Sequence, residues 1–161
     1  MKALTIKQPW ASLIIYGLPE TKVVPCGDGK STRLEATGKA FYKNIENRKW
    51  PLPRDFYIPQ RVYIHTAKRD DNFDTSFKWL CNLFQGAFGL ILAHYSKNIP
   101  RGAIIGEVTI VDDVVESDNP WFTGPHGFVL TKPKPYKVPI PCKGRLGFFD
   151  TDIAQLKRSE Q

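Results

Sequence analysis

The apolar positions at the beginning of the chain predict one strand and one short helix. Residues 3–6 (ALTI) form a brief apolar run that is typical of a strand. Pro9 suits the first turn of a helix, which is expected to extend to about Tyr16 and to end at Gly17. Aliphatic side chains follow Trp10 by three and four positions, so this helix has an apolar face. Trp10 either packs in the core or forms the wall of a pocket.

A longer amphipathic helix is predicted after Asp70 and Asp71, whose carboxylates can cap its first turn. Apolar side chains recur there at intervals of three and four residues, which is the spacing of one helix face. These side chains are Phe73, Phe77, Leu80, Cys81, Phe84 and Phe88. Packing against a sheet explains this face, and Gly86 and Gly89 weaken the far end of the helix.

Further apolar runs predict four more strands. They cover residues 61–67, 103–115, 128–130 and 147–149. The longest run has Gly106 in its interior, where a glycine permits a bulge or a close backbone approach. Glu107 follows this glycine, and its carboxylate is expected either to be exposed or to face a polar cleft.

Three ionisable side chains crowd into residues 43–51 (KNIENRKWP), a run with strand-like alternation. With a period of two, Glu46 and Arg48 point to one face, while Lys43 enters from the preceding turn. A carboxylate and a guanidinium on one face can form a charge-assisted pair, to which Lys43 adds a second positive charge. A solvated surface cluster is the simpler interpretation, but the apolar flanks favour a polar face that lines a cleft.

A turn-rich loop at residues 117–127 carries two adjacent aromatic residues, Trp121 and Phe122. Such loops offer stacking surfaces for nucleobases, although Trp121 could instead anchor the loop in the core. A tract of basic residues interleaved with proline follows at 132–145, before the closing strand. The tail at 153–161 is polar, and residues 155–161 are expected to fray.

Composition changes this picture mainly through charge. The 161 residues suffice for one compact domain, and they carry a formal net charge of +7 with a pI near 9.4. A basic balance favours anionic partners, among which nucleic acid ranks above a membrane surface because no basic amphipathic helix stands out. The beginning of the chain suits neither a signal peptide nor a membrane span, so we expect a cytoplasmic protein.

The cysteines and histidines indicate neither disulfides nor a metal site. Cys26, Cys81 and Cys142 are odd in number and far apart, which favours three reduced thiols. The histidines, at positions 65, 94 and 126, are equally scattered. We therefore expect no metal and no other cofactor.

The spacing of Lys43, Glu46 and Arg48 (K-x-x-E-x-R) resembles that of the ASCH family, whose members are relatives of the PUA domains of RNA-modifying enzymes. Four further segments resemble the family in the same order, namely residues 7–14, 64–67, 100–106 and 144–149. The resemblance covers roughly residues 4–150. It implies an α+β fold with a small PUA-like β-barrel, flanking α-helices and a charged cleft, in a single domain over residues 1–152.

Residues 18–42 depart from the family pattern. Most members pass from the glycine that ends the first helix to the motif lysine through a single residue, whereas 25 residues separate Gly17 from Lys43 here. Glycines at positions 27, 29 and 38 mark turns, and several Lys and Arg side chains make the segment basic. We expect a polar hairpin or a mobile loop beside the cleft, or else a substrate lid or a nucleic-acid arm.

The resemblance implies an enzyme as one possible function. The family includes small amidohydrolases that remove the acyl group from N4-acetylcytidine and related N4-acylated cytosines. Amide hydrolysis requires an activated nucleophile, a base and positive charge for the oxyanion. Lys43 and Arg48 could supply the charge, and Glu46 or Glu107 could serve as the base. The best understood of those amidohydrolases has a Thr where this chain has Glu46, so a Thr nucleophile is not expected at that position, and Thr66 is the substitute hydroxyl.

Substrate contacts are expected from side chains around the cleft. The candidates are Gln8, Trp10, Trp50, Thr66, Trp121 and His126. A second hypothesis is an RNA-binding module without catalysis, which the basic balance and the aromatic loop would suit equally. Glu46 favours the enzyme, because a carboxylate weakens attraction to phosphates but can accept a hydrogen bond from cytosine N4. The expected partners are a nucleoside or nucleobase substrate, and single-stranded RNA under the second hypothesis.

Overall fold

The computed structural model describes residues 1–84 and 99–158. Strands dominate it, and the helices are few and short. The strands are β1 (Lys2–Ile6), β2 (Leu18–Pro25), β3 (Thr32–Phe41), β4 (Ile45–Arg48), β5 (Gln60–Thr66), β6 (Ala103–Val114), β7 (His126–Pro141) and β8 (Phe148–Asp150). The helices are α1 (Trp10–Ile15), α2 (Phe73–Phe84) and α3 (Ile153–Arg158).

Six strands form one mixed sheet that curls into a half-barrel, in the order β4-β7-β6-β5-β1-β8. Neighbouring strands are antiparallel except β1 and β5, whose parallel register aligns Leu4 with Ile64. A parallel pair needs a crossover connection, which the chain between β1 and β5 supplies through α1, the β2–β3 hairpin and β4. Of the expected α+β fold with a small β-barrel and flanking helices, the structure confirms a curved, half-barrel sheet in a mostly β chain with a few short helices.

Gly106 lies where the sheet bends. The pairing of β6 with β7 shifts register at three points, and Gly106 follows the first of them. A Cβ atom built on Gly106 would lie 2.5 Å from the Lys134 carbonyl oxygen and 2.9 Å from a methyl carbon of Ile15. The predicted close approach at this glycine is confirmed, since a side chain there would force β7 or α1 away from β6.

The core has two parts. The larger part includes Leu4, Ile64, Ile105 and Phe128, from four different strands, and each of these side chains is fully buried. Burial of each side chain stabilises the fold by about 1.5–3 kcal/mol. A second cluster joins α1, the first residue of β2, β4, α2 and the 117–127 loop through Leu13, Leu18, Ile45, Leu80 and Trp121. This second cluster sets β4 beside the two helices.

Residues 18–42 form a hairpin, as predicted. Strands β2 and β3 pair antiparallel in a separate sheet, and within the described ranges neither pairs with the main sheet. Lys22 and Glu35 form an exposed ion pair across this hairpin at 3.8 Å. Leu18 differs from the rest, because its side chain is buried in the second cluster.

The prediction of a strand confined to residues 128–130 is wrong, because β7 continues through most of the basic tract to Pro141. Four prolines lie in β7 after Thr131, at positions 133, 135, 139 and 141. Proline lacks the N–H that an inner strand must donate, so it is tolerated where one side of a strand is open. Strand β4 covers β7 only as far as Val129, and in the described part of the chain no other strand continues along that side.

The first turn of α2 has a different cap from the predicted one. Asn72 Oδ1 accepts a hydrogen bond from the Thr75 backbone N–H at 3.0 Å, so Asn72 is the N-cap. Asp70 and Asp71 make other contacts, since their side chains bind Arg101 and Trp10. The predicted continuation of this helix through Gly86, Phe88 and Gly89 lies outside the described residues, as does His94.

The tail is helical over Ile153–Arg158, so the prediction that residues 155–161 fray is wrong for residues 155–158. Asp152 Oδ1 accepts a hydrogen bond from the Ala154 N–H at 2.8 Å and caps α3. No helix in the described part of the chain is long and apolar enough to cross a membrane. The three cysteines are unpaired, as expected.

Candidate active site

Lys43 reaches the site from the turn before β4. Its backbone N–H donates to the Leu13 carbonyl at 3.0 Å, which ties this turn to α1. Alternation along β4 then buries Ile45 in the second cluster and turns Glu46 and Arg48 to the other side. The structure brings the three motif side chains together, as their spacing predicts.

Glu46 lies between the two cations. Its Oε2 accepts a hydrogen bond from Lys43 Nζ at 2.8 Å, and its Oε1 lies 3.1 Å from Arg48 Nη2. Lys43 Nζ also donates to the Ile45 carbonyl, and Arg48 Nη2 donates to the Thr5 carbonyl at 2.9 Å. Only 4% of the Lys43 side chain, 9% of Glu46 and 17% of Arg48 is exposed. The motif is therefore a buried ion network and not a solvated surface cluster.

The environment of Lys43 changes its acidity. Burial lowers the pKa of Lys43, and the neighbouring Arg48 guanidinium lowers it further. Glu46 opposes this shift through its charge and its hydrogen bond, but burial dominates. The Lys43 ammonium therefore releases a proton more readily than an exposed lysine would, which suits a group that exchanges protons with a substrate.

A cavity of about 640 Å³ opens in front of this network. Its volume lies within the range of small-molecule sites, which is roughly 300–1,000 Å³. The lining comprises Thr5, Ile6, Lys7, Trp10, Lys43, Glu46, Asn47, Arg48, Lys49, Ala67, Asp71, Thr75, Ser76, Trp79, Trp121, Thr123 and Leu146. Charged groups of both signs and three tryptophans thus share one cavity.

The tryptophans form a continuous aromatic wall. Trp79 lies between the other two, with its ring centroid 5.6 Å from that of Trp10 and 5.4 Å from that of Trp121. The first pair meets edge to face and the second is tilted by 39°. Lys43 Nζ is 6.0 Å from the centroid of the Trp10 ring. A flat heteroaromatic ligand can therefore stack on this wall while its polar edge meets the ion network.

Asp71 is a second anionic group in the cavity. Its Oδ2 accepts a hydrogen bond from Trp10 Nε1 at 2.8 Å, and its Oδ1 lies 3.3 Å from Lys7 Nζ. Partial burial raises the pKa of Asp71, but the hydrogen bonds from Trp10 and Lys7 outweigh it and hold the pKa below its ordinary value. Asp71 is therefore a carboxylate at neutral pH and acts only as a hydrogen-bond acceptor.

Five predicted site residues line the cavity together. They are Lys43, Glu46, Arg48, Trp10 and Trp121. Trp121 anchors its loop in the core, since its side chain is 6% exposed in the second cluster, and it also forms part of the cavity wall. Trp10 likewise packs against the core and lines the cavity.

Gln8 and Thr66 are fully buried and do not line the cavity. Gln8 accepts a hydrogen bond from the Ser12 N–H at 3.0 Å and donates to the Pro100 carbonyl at 2.9 Å. Thr66 Oγ1 donates to the Ala103 carbonyl at 3.0 Å. The polar atoms of both side chains hold backbone segments together, so the structure does not place them where a substrate would lie.

Trp50 and His126 also lie outside the cavity lining. Trp50 packs edge to face against Phe128, and the Arg48 guanidinium carbon is 5.6 Å from the centroid of its ring. Trp50 therefore supports Arg48 from behind through a cation–π contact. His126 Nδ1 lies 3.3 Å from Asp113 Oδ1, within a separate polar pair.

Glu107 is held elsewhere on the sheet. Its Oε1 lies 3.4 Å from Arg61 Nη2 and 3.3 Å from Lys134 Nζ, and its Oε2 accepts a long hydrogen bond from Tyr136 at 3.4 Å. It is not among the residues that line the cavity. Glu46 is thus the carboxylate of the predicted catalytic set that faces the cavity.

The sequence patterns did not predict that side chains of α2, and of Asp71 just before its N-cap, would line the cavity. Asp71, Thr75, Ser76 and Trp79 all line the cavity. Asp71, Thr75 and Trp79 follow one another at intervals of four positions, and Ser76 precedes Trp79 by three, so these residues form a second stripe beside the apolar face of the helix. This stripe of polar and aromatic residues is the sequence signal that indicates a second functional face on the helix.

Within residues 1–84 and 99–158, no three His, Cys, Asp or Glu side chains are grouped as metal ligands would be. A comparison of the chain with protein-family models finds no match, and a search among curated proteins finds no similar sequence either.

Proposed function

We propose that this protein is an amidohydrolase that removes the acyl group from N4-acetylcytidine or related N4-acylated cytosine nucleosides or bases. The observation that carries the proposal is the buried Lys43–Glu46–Arg48 network at the side of a cavity with an aromatic wall. The K-x-x-E-x-R resemblance to the ASCH family supports it, and on the same ground we propose that the half-barrel is of the PUA-like type.

The cavity suits an acylated cytosine in both shape and polarity. The pyrimidine ring stacks on the tryptophan wall, and stacking on an aromatic side chain contributes roughly 1–3 kcal/mol. The N4 amide carries one N–H donor and one carbonyl acceptor. Glu46 accepts from the N–H, while Lys43 and Arg48 supply positive charge for the carbonyl oxygen, where negative charge develops.

Water is the nucleophile in this mechanism. Thr66 is excluded, because its hydroxyl is buried, donates to the Ala103 carbonyl and lies away from the cavity. Glu46 takes one proton from a water molecule, whose oxygen then forms a bond to the acyl carbon. The carbonyl oxygen becomes an oxyanion, which the two cationic side chains stabilise.

Lys43 completes the reaction as the acid. The C–N bond breaks when the oxyanion collapses, and N4 receives a proton from Lys43 Nζ to leave as the amino group of cytosine. The proton on Glu46 then passes to the neutral Lys43 along their 2.8 Å hydrogen bond and restores both groups. The acid product loses its proton to solvent, so the overall reaction is amide plus water to amine plus carboxylate and one proton.

The direct test is incubation of the protein with N4-acetylcytidine, with cytidine and acetate followed by chromatography. We expect both products in equal amounts, at a rate proportional to protein concentration. A folded protein that forms no cytidine and binds single-stranded RNA would overturn the proposal in favour of the RNA-binding module.

A further inference from the structure

The cavity has two polar ends, and the proposed reaction uses only one of them. The second end is Asp71, whose side chain is 37% exposed. Ser76 stands beside it with its Oγ 3.5 Å from Asp71 Oδ2. An ionised carboxylate offers about four acceptor positions, and Trp10 and Lys7 take one each at short range. The backbone of Asn72 also donates to Asp71, while the contact from Ser76 is at the long limit of a hydrogen bond. Because the Ser76 contact is long and the Asp71 side chain is partly exposed, a ligand hydroxyl can replace Ser76 at that acceptor position on the cavity side.

The indole ring of Trp10 lies between the two polar ends of the cavity, Asp71 and the Lys43–Glu46–Arg48 network. Its N–H edge donates to Asp71, and its ring centroid is 6.0 Å from Lys43 Nζ. In cytidine, the N4 amino group and the sugar lie on opposite sides of the pyrimidine ring. A cytosine that stacks on the wall with N4 at Glu46 therefore directs its N1 substituent toward the other end of the cavity.

The chemistry of Asp71 determines which N1 substituent it accepts. A carboxylate repels a phosphate group but accepts hydrogen bonds from hydroxyls, and acidic side chains are the usual partners of ribose hydroxyls in nucleotide sites. Lys7 balances part of the negative charge, but its Nζ is already paired with Asp71 Oδ1 at 3.3 Å. The arrangement suits a neutral group that carries two adjacent hydroxyls.

We propose that Asp71 forms a ribose subsite that accepts hydrogen bonds from the 2′- and 3′-hydroxyls of the substrate, an inference that rests on the proposed function. The substrate is then a free nucleoside. A free base lacks the sugar, and a nucleotide within an RNA chain has its 3′-oxygen esterified and cannot donate from it.

The subsite can be tested by calorimetric titration of the unmodified protein with the reaction product and its analogues. The probes are cytidine, 2′-deoxycytidine, 3′-deoxycytidine, cytidine 3′-monophosphate and 1-methylcytosine. We expect cytidine to bind best, with each of the others at least about tenfold weaker, which is the scale for loss of a hydrogen bond to a charged group.

The Asp71→Asn variant assigns this preference to one side chain. It should abolish most of the discrimination between cytidine and 1-methylcytosine while leaving the affinity for 1-methylcytosine within about threefold. Asp70→Asn is the matched control, because Asp70 carries the same charge but pairs with Arg101 at 2.7 Å and does not line the cavity. That control should keep the full discrimination.

Two outcomes separate the subsite from the reaction. Equal affinity of the unmodified protein for cytidine and 1-methylcytosine would overturn the ribose subsite, even if N4-acetylcytidine is hydrolysed. Discrimination by the ribose that disappears in Asp71→Asn, without any hydrolysis, would uphold the subsite and overturn the amidohydrolase. The titrations with unmodified protein decide the first point even if Asp71→Asn does not fold.

Discussion

At the scale of single residues, the main feature is a lysine that is buried yet paired. Lys43 is 4% exposed, and Glu46 provides its counter-charge. Taking both charges out of water costs several kcal/mol, and their attraction offsets this cost only when the geometry is good. A pair of hydrophobic side chains could fill the same space at least as stably. The network is therefore better explained by chemistry than by stability.

Replacement of Lys43 by Ala tests that chemistry. We expect turnover of N4-acetylcytidine to fall by at least ~10²-fold, because the reaction loses its acid and one oxyanion partner. Removal of one member of a buried pair can also destabilise the fold by ~3–5 kcal/mol, so melting curves must accompany the rates. Lys39→Ala, at an exposed lysine of the hairpin, is the control and should be fully active. A folded and active Lys43→Ala variant would remove Lys43 from the mechanism.

Glu46→Gln separates the base from the binding group. The amide keeps the shape of the side chain but can neither hold a negative charge nor take a proton from water. We expect at least ~10²-fold slower turnover, with the affinity for cytidine, measured by titration, within about tenfold of the unmodified protein. If affinity is lost and turnover at saturation is retained, Glu46 positions the substrate and does not act as the base.

His65 should make stability depend on pH. The ring is buried, its Nε2–H donates to the Cys142 carbonyl at 3.0 Å, and its Nδ1 faces Thr5 Oγ1 at 3.2 Å. Burial lowers the pKa of His65, and the hydrogen bond to Cys142 opposes this only in part. As pH falls below the unfolded value of about 6.5, the unfolded chain takes up this proton first, so stability declines.

The measurement is the melting temperature between pH 7.5 and 5.5 for the unmodified protein and for His65→Asn. The unmodified protein should lose more stability on acidification than the variant, because only it carries the buried imidazole. Parallel profiles for the two proteins would show that His65 binds the same number of protons in the folded and unfolded chain, which would contradict a pKa lowered by burial.

At the scale of secondary-structure elements, the β2–β3 hairpin is separable from the rest. It pairs with itself, and none of its residues is among those that line the cavity. We expect replacement of residues 19–40 by a two-residue Asn-Gly turn to leave the melting temperature within a few degrees and turnover within about threefold, since Leu18 and Phe41 face each other in the register.

The buried end of the hairpin provides the control. Leu18→Ala in the full-length chain should destabilise the protein by about 2–5 kcal/mol, because this side chain packs in the second cluster. Loss of folding in the shortened chain would instead mean that the hairpin completes the core. A folded but inactive shortened chain would support the substrate lid.

Sequence patterns predicted several elements because their signals are local. The alternation in β4, the Pro9 and Gly17 boundaries of α1 and the turns of the hairpin need no distant partner to be recognised. The parallel pairing of β1 with β5 could not be predicted in this way, since it joins segments almost sixty residues apart. The full length of β7 could not be predicted for a related reason. Prolines are tolerated in a strand only where one side has no neighbouring strand, and that depends on distant parts of the chain.

The candidate site shows the same division between local and distant information. The spacing of Lys43, Glu46 and Arg48 predicted that their side chains would lie together, because the three residues are close in sequence. Polar residue type did not predict which other side chains would face the cavity. Gln8 and Thr66 are polar residues like Asp71, but their hydrogen-bonding groups are bound to backbone carbonyls of distant segments.

At the scale of the whole molecule, the net charge of +7 makes the effect of salt concentration a test between the two functional hypotheses. N4-acetylcytidine is uncharged, so its binding releases no counterions, and turnover at 50 and 200 mM salt should agree within about threefold. RNA held by about six phosphate contacts would bind roughly 10²–10³-fold more weakly at the higher concentration. Steep loss of nucleoside turnover with added salt would contradict a neutral substrate.

The prolines and lysines of β7 also bear on how the molecule behaves at high concentration. An uncovered strand side normally invites another chain to add to the sheet, which is a route to aggregation. Among the described residues, no strand pairs with β7 beyond Val129 on the side of β4, and this part of the strand contains four prolines and the exposed lysines 132, 134 and 137. A second copy would find missing N–H donors and like charges. The half-barrel can therefore stay open on this side without becoming a template for fibril growth.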